Sequence, residues 1–247
     1  MTPGCALVLA LFASMGGGTR LFASGALERL DRPSQAPLWK DAEVGAVRVD
    51  GIWQFDAVAR GVRRWERDDA EVRAGVRRRI AEDWVLGAGG SAGLRRIFLP
   101  SWMGRADLEA NCGAGWILAS SLRFSGYENL GVWLPEARVD RYLGPWRMGM
   151  GFGFPWAEGL SPGVSARVSM GWDYHEAVGL SVDFGSSREL ESESGEVKDR
   201  RALSLATGVR GAVGARAVLR SSLAWTRLET VHDRLEGRMG LEVRFGD

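Results

Sequence analysis

The last twelve residues, EGRMGLEVRFGD (236–247), pose the question on which the fold depends. From Arg238 to Phe245, charged or small residues alternate one for one with apolar residues. This alternation is typical of a β-strand that has one dry face and one wet face. In a soluble sandwich the apolar face points to the core. In a membrane barrel it faces lipid, and the polar face lines the lumen.

The same alternation recurs over most of the chain in segments that turn residues separate. We predict twelve strands, at residues 52–62, 71–80, 83–91, 106–113, 116–124, 137–143, 146–154, 164–173, 177–185, 201–210, 215–225 and 235–245. The stronger segments are close to the 9–11 residues that a tilted strand needs to cross a bilayer. Strands do not alternate with helices, so the pattern argues against a Rossmann-like fold.

The ends of the apolar faces favour a membrane barrel over a soluble sandwich. These faces repeatedly finish in an aromatic residue, as a membrane girdle requires, at Trp172, Phe184, Trp225 and Phe245. The polar faces combine Arg with Gly and Ser, as a wet lumen would. We therefore predict an all-β fold, a single antiparallel transmembrane β-barrel of about twelve strands over residues 47–247. A secreted soluble sandwich is the alternative.

The N-terminal residues look like a leader followed by a tether. Cys5–Met15 is an apolar run of signal-peptide length and is too short to span a membrane. Small residues follow it, with a plausible cleavage region near Gly25. We expect a signal peptide over residues 1–25 and a short tether or plug over 26–46. No later stretch approaches 18 apolar residues, so no transmembrane helix is predicted.

The connections between strands differ in length. Only the sequence YHE (174–176) separates Asp173 from Ala177, which predicts a tight turn. The stretch SSRELESESGEVKD (186–199) predicts a long charged loop. Short turns at one rim and long loops at the other are typical of outer-membrane barrels. The acidic residues Glu189, Glu191, Glu193 and Glu196 fit a solvated loop, and a calcium or lipopolysaccharide contact is the alternative.

Composition and motifs give little support for catalysis. The net charge of +1 offers no electrostatic footprint for nucleic acid. No metal-ligand spacing or phosphate-binding loop is present. The two histidines, His175 and His232, both fall in predicted turns, and only a pairing of His175 with Ser181 would suggest a lipid hydrolase. We predict a protein that is not an enzyme and has no catalytic, cofactor or metal residues.

Arginine and acidic residues on the predicted polar faces indicate an ion-paired lumen. Arg73, Arg77–Arg79, Arg95 and Arg96 would form a basic zone at a rim or in the lumen. An open lumen of this kind would favour anions or acidic glycans. Pairing across the lumen would instead leave it mostly occluded, which we expect. The pairs would combine Arg167, Arg210, Arg216, Arg220, Arg238 and Arg244 with Asp173, Asp183, Glu236 and Glu242.

The stretch LGPWRMGMGFGFPWAEGLSPGVSARVSMGWDYHEAVGLSVDFGSSREL (143–190) resembles the YaiO family of bacterial outer-membrane β-barrels. The matching elements are Gly144–Trp146, Ser161–Trp172, Val178–Leu180 and Gly185–Ser187. Residues 99–129 match the family's proline-aromatic loop and glycine–tryptophan strand start. The resemblance covers about residues 47–247, and its motifs are strand and turn patterns.

The resemblance implies a barrel in a Gram-negative outer membrane, in contact with outer-membrane lipids and lipopolysaccharide and inserted by the barrel assembly machinery. The family has no general assigned activity, although some relatives are associated with surface polysaccharide export. We expect a monomer that does not bind nucleic acid, with a structural or accessory role in the envelope. The alternatives are a small anion-biased channel and a barrel lipid hydrolase.

Overall fold

A computed structural model describes residues 18–31, 38–95, 97, 99–128, 130–160, 162–174, 178–193, 196–228 and 232–245. These residues form β-strands that turns and loops connect. The strands are β1 (Gly18–Asp31), β2 (Leu38–Asp50), β3 (Trp53–Arg64), β4 (Arg67–Ala81), β5 (Trp84–Gly93), β6 (Trp102–Asn111), β7 (Trp116–Gly126), β8 (Gly131–Leu143), β9 (Trp146–Gly153), β10 (Trp156–Ala157), β11 (Ser165–Tyr174), β12 (Val178–Glu193), β13 (Glu196–Val213), β14 (Ala217–Leu228) and β15 (His232–Phe245).

The strands close into a barrel. Consecutive long strands pair antiparallel, and β1 pairs with β15 from Thr19 opposite Phe245 to Asp31 opposite Asp233. The two-residue strand β10 extends the pairing of β9 along β8. Within the described ranges, fourteen strands therefore form a closed antiparallel sheet, with β10 as one extra strand. Closure leaves no free edge, which is a requirement for a sheet inside a membrane.

This sheet agrees with the predicted fold, a transmembrane β-barrel. The predicted number of about twelve strands was too low. Each of the twelve predicted segments overlaps a barrel strand. The two additional strands are β1 and β2, in the part of the chain that we expected to be leader and tether. The described residues of this expected tether or plug, 26–31 and 38–46, thus belong to the barrel wall. Residues 1–17, most of the expected leader, lie outside the described residues.

The physical reason is that β1 and β2 lack a clean alternation. Their lumen-facing rows include the bulky apolar residues Phe22, Leu30 and Trp39, and the latter two are buried. Their outward rows include charged or small residues such as Lys40. Both faces therefore look mixed in sequence, although the backbone pairs regularly on both sides.

The apolar face points outward, as predicted from the alternation. On β12, the exposed residues Val178, Leu180, Val182 and Phe184 alternate with the lumen-lining residues Gly179, Ser181 and Asp183. None of the described segments forms a helix long and apolar enough to span a membrane. Most of the large apolar side chains in the described strands thus form an outer belt.

Aromatic residues border this belt. Trp53, Trp84, Trp116 and Trp146 are the first residues of β3, β5, β7 and β9, and all four are exposed. At the opposite end, Phe124 packs between Trp102 and Trp133, with ring centroids 4.7 and 4.5 Å away. Trp116 and Phe124 are eight residues apart on β7. This separation corresponds to about 20 Å along the membrane normal when the strand is tilted by about 40°. This is close to the apolar band of an outer-membrane barrel.

The two ends of the barrel differ in their connections. The end that contains Gly18 and Phe245 has connections of two to four residues, at 51–52, 82–83, 112–115, 144–145, 175–177 and 214–216. The other end has the longest connections, at 94–101 and 154–164. Short periplasmic turns and longer extracellular loops are the rule for such barrels, so we expect the end that contains Gly18 and Phe245 to face the periplasm. The expected loop 186–199 is instead mostly paired, because β12 and β13 continue to Glu193 and from Glu196.

Candidate functional site

The barrel lumen contains two cavities. The larger has a volume of about 920 Å³ and is lined by residues of the eleven long strands from β3 to β14, including Arg105, Arg138, Arg167 and Asp183. The smaller has a volume of about 660 Å³ and is lined by β1, β2, β9 and β11 to β15, including Arg210 and Arg220. Side chains therefore narrow the lumen without filling it, and the mostly occluded lumen stays a prediction.

The predicted ion pairs are present along the lumen wall. Arg167 contacts Asp183 at 2.7 Å, Arg210 contacts Asp173 at 2.9 Å and Arg220 contacts Glu242 at 2.8 Å. Two further predicted residues also find acidic partners, since Arg238 lies 3.1 Å from Glu236 and Arg244 lies 3.5 Å from Glu242. The sixth predicted arginine, Arg216, lies in the turn 214–216.

Within most of these pairs the arginine is much more exposed than its acid. The side chain of Arg167 is 67% exposed and that of Asp183 is 21% exposed. The corresponding values are 54% and 3% for Arg138 and Asp140. Arg220 is likewise more exposed than Glu242, whereas Arg210 is less exposed than Asp173. A solute in either cavity therefore meets guanidinium groups in front of most carboxylates, although the lumen contains charges of both signs.

One side of the wall is held by a connected network. Asp41 on β2 contacts Arg60 on β3, and Glu43 on β2 contacts Arg73 on β4 at 3.0 Å. Arg238 on β15 approaches both acids, at 4.0 and 3.7 Å. These residues link strands on both sides of the β1–β15 closure. Networks of this kind fix long side chains more firmly than an isolated exposed pair does.

The cell-surface end of the lumen is constricted by a buried cluster. Its apolar members are buried and belong to the inward rows of their strands, and they are Leu30, Trp39, Val62, Ala202 and Leu228. Trp39 packs against the Arg64 guanidinium, 4.2 Å from the ring centroid. Glu28 and Arg234 form a 2.7 Å ion pair in the same region.

A loop narrows another part of the same mouth. Asp69 on β4 is 2% exposed and belongs to the inward row that continues with Glu71 and Arg73. Its Oδ2 accepts hydrogen bonds from the backbone N–H groups of Ile97 and Leu99, at 2.8 and 2.9 Å. Because Asp69 faces the lumen, these bonds hold part of the connection 94–101 inward across the mouth.

A trough runs along β9 inside the larger cavity. The lumen-facing row of this strand contains Gly149, Gly151 and Gly153, which carry no side chains. Gly151 pairs with Arg138 on β8 and with Arg167 on β11. Two exposed guanidinium groups therefore flank a gap in the wall.

The other candidate residues are not brought into one site. Arg73 and Arg77 face the lumen, whereas Arg78 lies outside over the Trp53 ring, 4.9 Å from its centroid. Ser181 lines the smaller cavity, but its hypothetical partner His175 lies outside the described residues. Arg96 also lies outside them, as do the side chains of His232, Glu189, Glu191, Glu193 and Glu196.

Sequence reasoning missed Arg105, Arg138 and Asp69 as lumen residues. All three could have been predicted, because side chains alternate between the two faces of a strand. Once the outward face is assigned, the remaining residues must face the lumen. The inward loop that Asp69 holds left no such signal, since it depends on hydrogen bonds between residues 28 and 30 positions apart.

Comparisons with known proteins identify the fold. No protein-family model matches the chain, and no curated protein matches it either. Solved structures do match it. The resemblance to the YaiO family stays a prediction.

Three outer-membrane proteins illustrate the structural similarity. The CymD monoaromatic hydrocarbon channel is 10% identical, with a TM-score of 0.67 over 99% of this chain and 93% of that one. A bacterial polysaccharide outer membrane secretin is 9% identical, with a TM-score of 0.63 over 92% and 98%. An outer membrane channel from Pseudomonas putida F1 is 10% identical, with a TM-score of 0.59 over 94% and 96%. This chain therefore has the closed β-barrel fold of outer-membrane channels and is located in the cell outer membrane.

Proposed function

We propose that this protein is a non-enzymatic outer-membrane channel that lets small hydrophilic solutes pass and favours anions. One observation carries the proposal: the two lumen cavities present exposed guanidinium groups with less exposed carboxylates behind them. Charged side chains that line a pore set its preference for cations or anions. A passing anion would move from one exposed arginine to the next, and each ion pair would limit how tightly it binds.

The test is the ion selectivity of the purified barrel in a planar lipid bilayer under a potassium chloride gradient. We expect a reversal potential of the sign that chloride preference gives. In the variant R105Q/R138Q/R167Q the partner carboxylates remain, so we expect the preference to shift towards potassium. The matched control is Arg78→Gln, which removes one guanidinium on the outer face over Trp53. A wild-type barrel that inserts but does not conduct would contradict the channel.

Export of a surface polysaccharide is a second candidate. It is supported by the resemblance of residues 143–190 to the YaiO family and by a lumen surface whose charge suits an acidic glycan. The test is the amount of cell-surface polysaccharide in a deletion strain, with complementation by the wild-type chain and by R138Q/R167Q. Export through this lumen predicts a loss that only the wild-type chain restores. Equal amounts in the deletion and parent strains would rule it out.

The same fold supports two further proposals, on the quaternary state and on the lipid contacts. We propose a monomer, because β1 and β15 complete the sheet within one chain and leave no edge for a partner. The outer belt would contact outer-membrane lipids and lipopolysaccharide, after insertion by the barrel assembly machinery. Static light scattering corrected for detergent tests the monomer, and a particle with the mass of two or three barrels would contradict it.

A further inference from the structure

We propose that the trough along β9 is a binding subsite for a small hydroxylated organic anion, of the class of sugar acids and sugar phosphates. The inference rests on the proposed channel function and specifies its solute. The anionic group would lie over Gly151, between Arg138 and Arg167. The hydroxylated part of the solute would face the serine residues of the same cavity.

The strand register supplies the geometry. Gly151 pairs with Arg138 on one side and with Arg167 on the other. Adjacent strands are about 4.8 Å apart, so the two arginines start about 10 Å apart on the wall. Guanidinium groups that lean towards each other across this gap can both reach one carboxylate or phosphate. The gap itself is open, since a Cβ added to Gly151 would meet only ordinary contacts of 3.6 Å or more.

The neighbouring glycines show that the trough is confined. A Cβ at Gly149 would lie 2.4 Å from Asp140 Oδ1, and one at Gly153 would lie 2.5 Å from Ser165 Oγ. Side chains from β8 and β11 thus close in above and below Gly151. The trough is therefore open at Gly151, between the two arginines, and is closed by side chains at Gly149 and Gly153.

Both arginines keep donors for a ligand. Arg167 uses its Nε and Nη2 atoms on one oxygen of Asp183, and a guanidinium has five N–H donors. Arg138 contacts Asp140 through Nε, and Asp140 is buried behind it. The acids therefore orient the guanidinium groups without covering them. Oriented guanidinium pairs bind planar carboxylates and phosphates by charge-assisted hydrogen bonds, which are stronger than neutral ones.

The rest of the cavity defines the solute class. Its lining includes Ser165, Ser187 and Ser204, whose hydroxyl groups can donate to and accept from sugar hydroxyls. The volume of about 920 Å³ falls within the usual range for small-molecule sites. A charged group alone would need no such hydroxyl surface, and a neutral sugar would accept only weaker hydrogen bonds from the arginines because it carries no anionic oxygen.

The experiment compares solutes that share one pyranose ring. Glucuronate, glucose 6-phosphate, glucose and glucosamine are each added to single channels in a planar bilayer, and block of the ion current gives an apparent affinity. Calorimetric titration of glucuronate into the detergent-solubilised barrel measures binding without conduction. We expect glucuronate and glucose 6-phosphate to bind at least about tenfold more tightly than glucose, with glucosamine weakest. Tight binding of only one of glucuronate and glucose 6-phosphate would show whether the subsite takes a carboxylate or a phosphate.

The decisive variant is R167Q/D183N, which removes an ion pair and leaves the net charge unchanged. The expected result is a loss of glucuronate affinity of at least about tenfold. The matched control, R210Q/D173N, removes an ion pair from the smaller cavity and is expected to retain the affinity. Gly151→Leu should also abolish binding by filling the gap, and heat-modifiable migration in SDS confirms that each variant is folded.

The outcomes separate the two proposals. A barrel that does not conduct but binds glucuronate at the subsite contradicts the channel alone. A barrel that conducts but binds all four solutes equally contradicts the subsite alone. Equal losses in R167Q/D183N and R210Q/D173N would also overturn the subsite, because they would indicate a diffuse charge effect along the lumen.

Discussion

The carboxylate of Asp69, inside the barrel, accepts a hydrogen bond from the backbone N–H of Leu99 in the connection between β5 and β6, at 2.9 Å. The same carboxylate oxygen accepts the N–H of Ile97. A single acidic side chain therefore fastens this connection to the wall of the mouth.

Asp69→Ala is expected to release the loop. Hydrogen bonds to a charged group contribute roughly 1.5–3 kcal/mol each, and local opening exposes a backbone to protease. We expect trypsin to cleave the folded barrel after Arg95 about tenfold faster in this variant. The control is Asp68→Ala, which changes an exposed neighbour paired with Arg63 at 3.8 Å. Equal cleavage rates in Asp69→Ala and the wild type would show that other contacts hold the loop.

Glu28→Gln is expected to weaken the closure between β1 and β15. Glu28 on β1 and Arg234 on β15 form a 2.7 Å ion pair in the buried cluster, and the change removes the negative charge from this pair. We expect a loss of about 1–3 kcal/mol in the free energy of unfolding. The measurement is the temperature at which the folded band disappears from an SDS gel.

The control for this prediction is Arg227→Gln. It breaks an exposed 3.0 Å pair with Asp233, for which we expect a much smaller shift in that temperature, because water screens an exposed pair. Equal shifts in the two variants would show that burial of the Glu28 pair adds nothing.

The mature chain is expected to begin at or before Gly18. Residues from Thr19 to Gly25 pair with the segment from Phe245 to Met239, so cleavage near Gly25 would leave the last residues of β15 paired on the β14 side alone. The intact mass of protein from the outer membrane locates the terminus. A terminus at residue 25 or 26 would contradict this register. Refolding of chains that start at Gly18 or Gly25 provides a second check, with closure expected only for the longer one.

Cys112 reports which end of the barrel faces the periplasm. It is an exposed free thiol in the connection 112–115, at the end with short turns. A membrane-impermeant maleimide is expected to leave Cys112 unmodified in intact cells and to modify it after the outer membrane is permeabilised. Mass spectrometry of the peptide that contains Cys112 measures this.

The matched control for the orientation is Glu158→Cys in a Cys112→Ser background. Glu158 is exposed in the connection at the opposite end, so the introduced thiol should react in intact cells. The reverse pattern, with Cys112 reactive in intact cells and residue 158 protected, would invert the barrel.

Most of the barrel wall was predictable from alternation alone. From β3 to β15 the outward rows are apolar and the inward rows carry Arg, Asp, Gly and Ser, so both the strands and the sidedness could be inferred. Arg167, Arg210, Arg220, Arg238 and Arg244 pair with acids as predicted, because they and their partners share the inward face of the sheet. Two of these pairs lie two residues apart on one strand, two join adjacent strands, and the pair of Arg210 with Asp173 reaches across the intervening strand at Gly179.

The remaining features depend on pairings that are distant in sequence. β1 and β2 were missed because Phe22, Leu30 and Trp39 face inward, where they narrow the lumen and pack with Arg64 or against their neighbours. The flanking of Gly151 by Arg138 and Arg167 required the exact register of three strands. A slip of one residue in any of them would turn a side chain to lipid.

Because guanidinium groups lie in front of carboxylates, the lumen wall consists of a layer of positive charge over a layer of negative charge. Two opposite charges a few ångströms apart give a field that fades with distance faster than the field of a lone charge. Physiological salt screens what is left over about 8 Å. A small ion on the axis of a cavity therefore meets only a weak excess of positive potential, which gives a modest preference for chloride, whereas a solute bulky enough to touch the wall contacts the positive layer directly. Discrimination in this barrel is therefore strongest on contact, and it increases with the size of the solute.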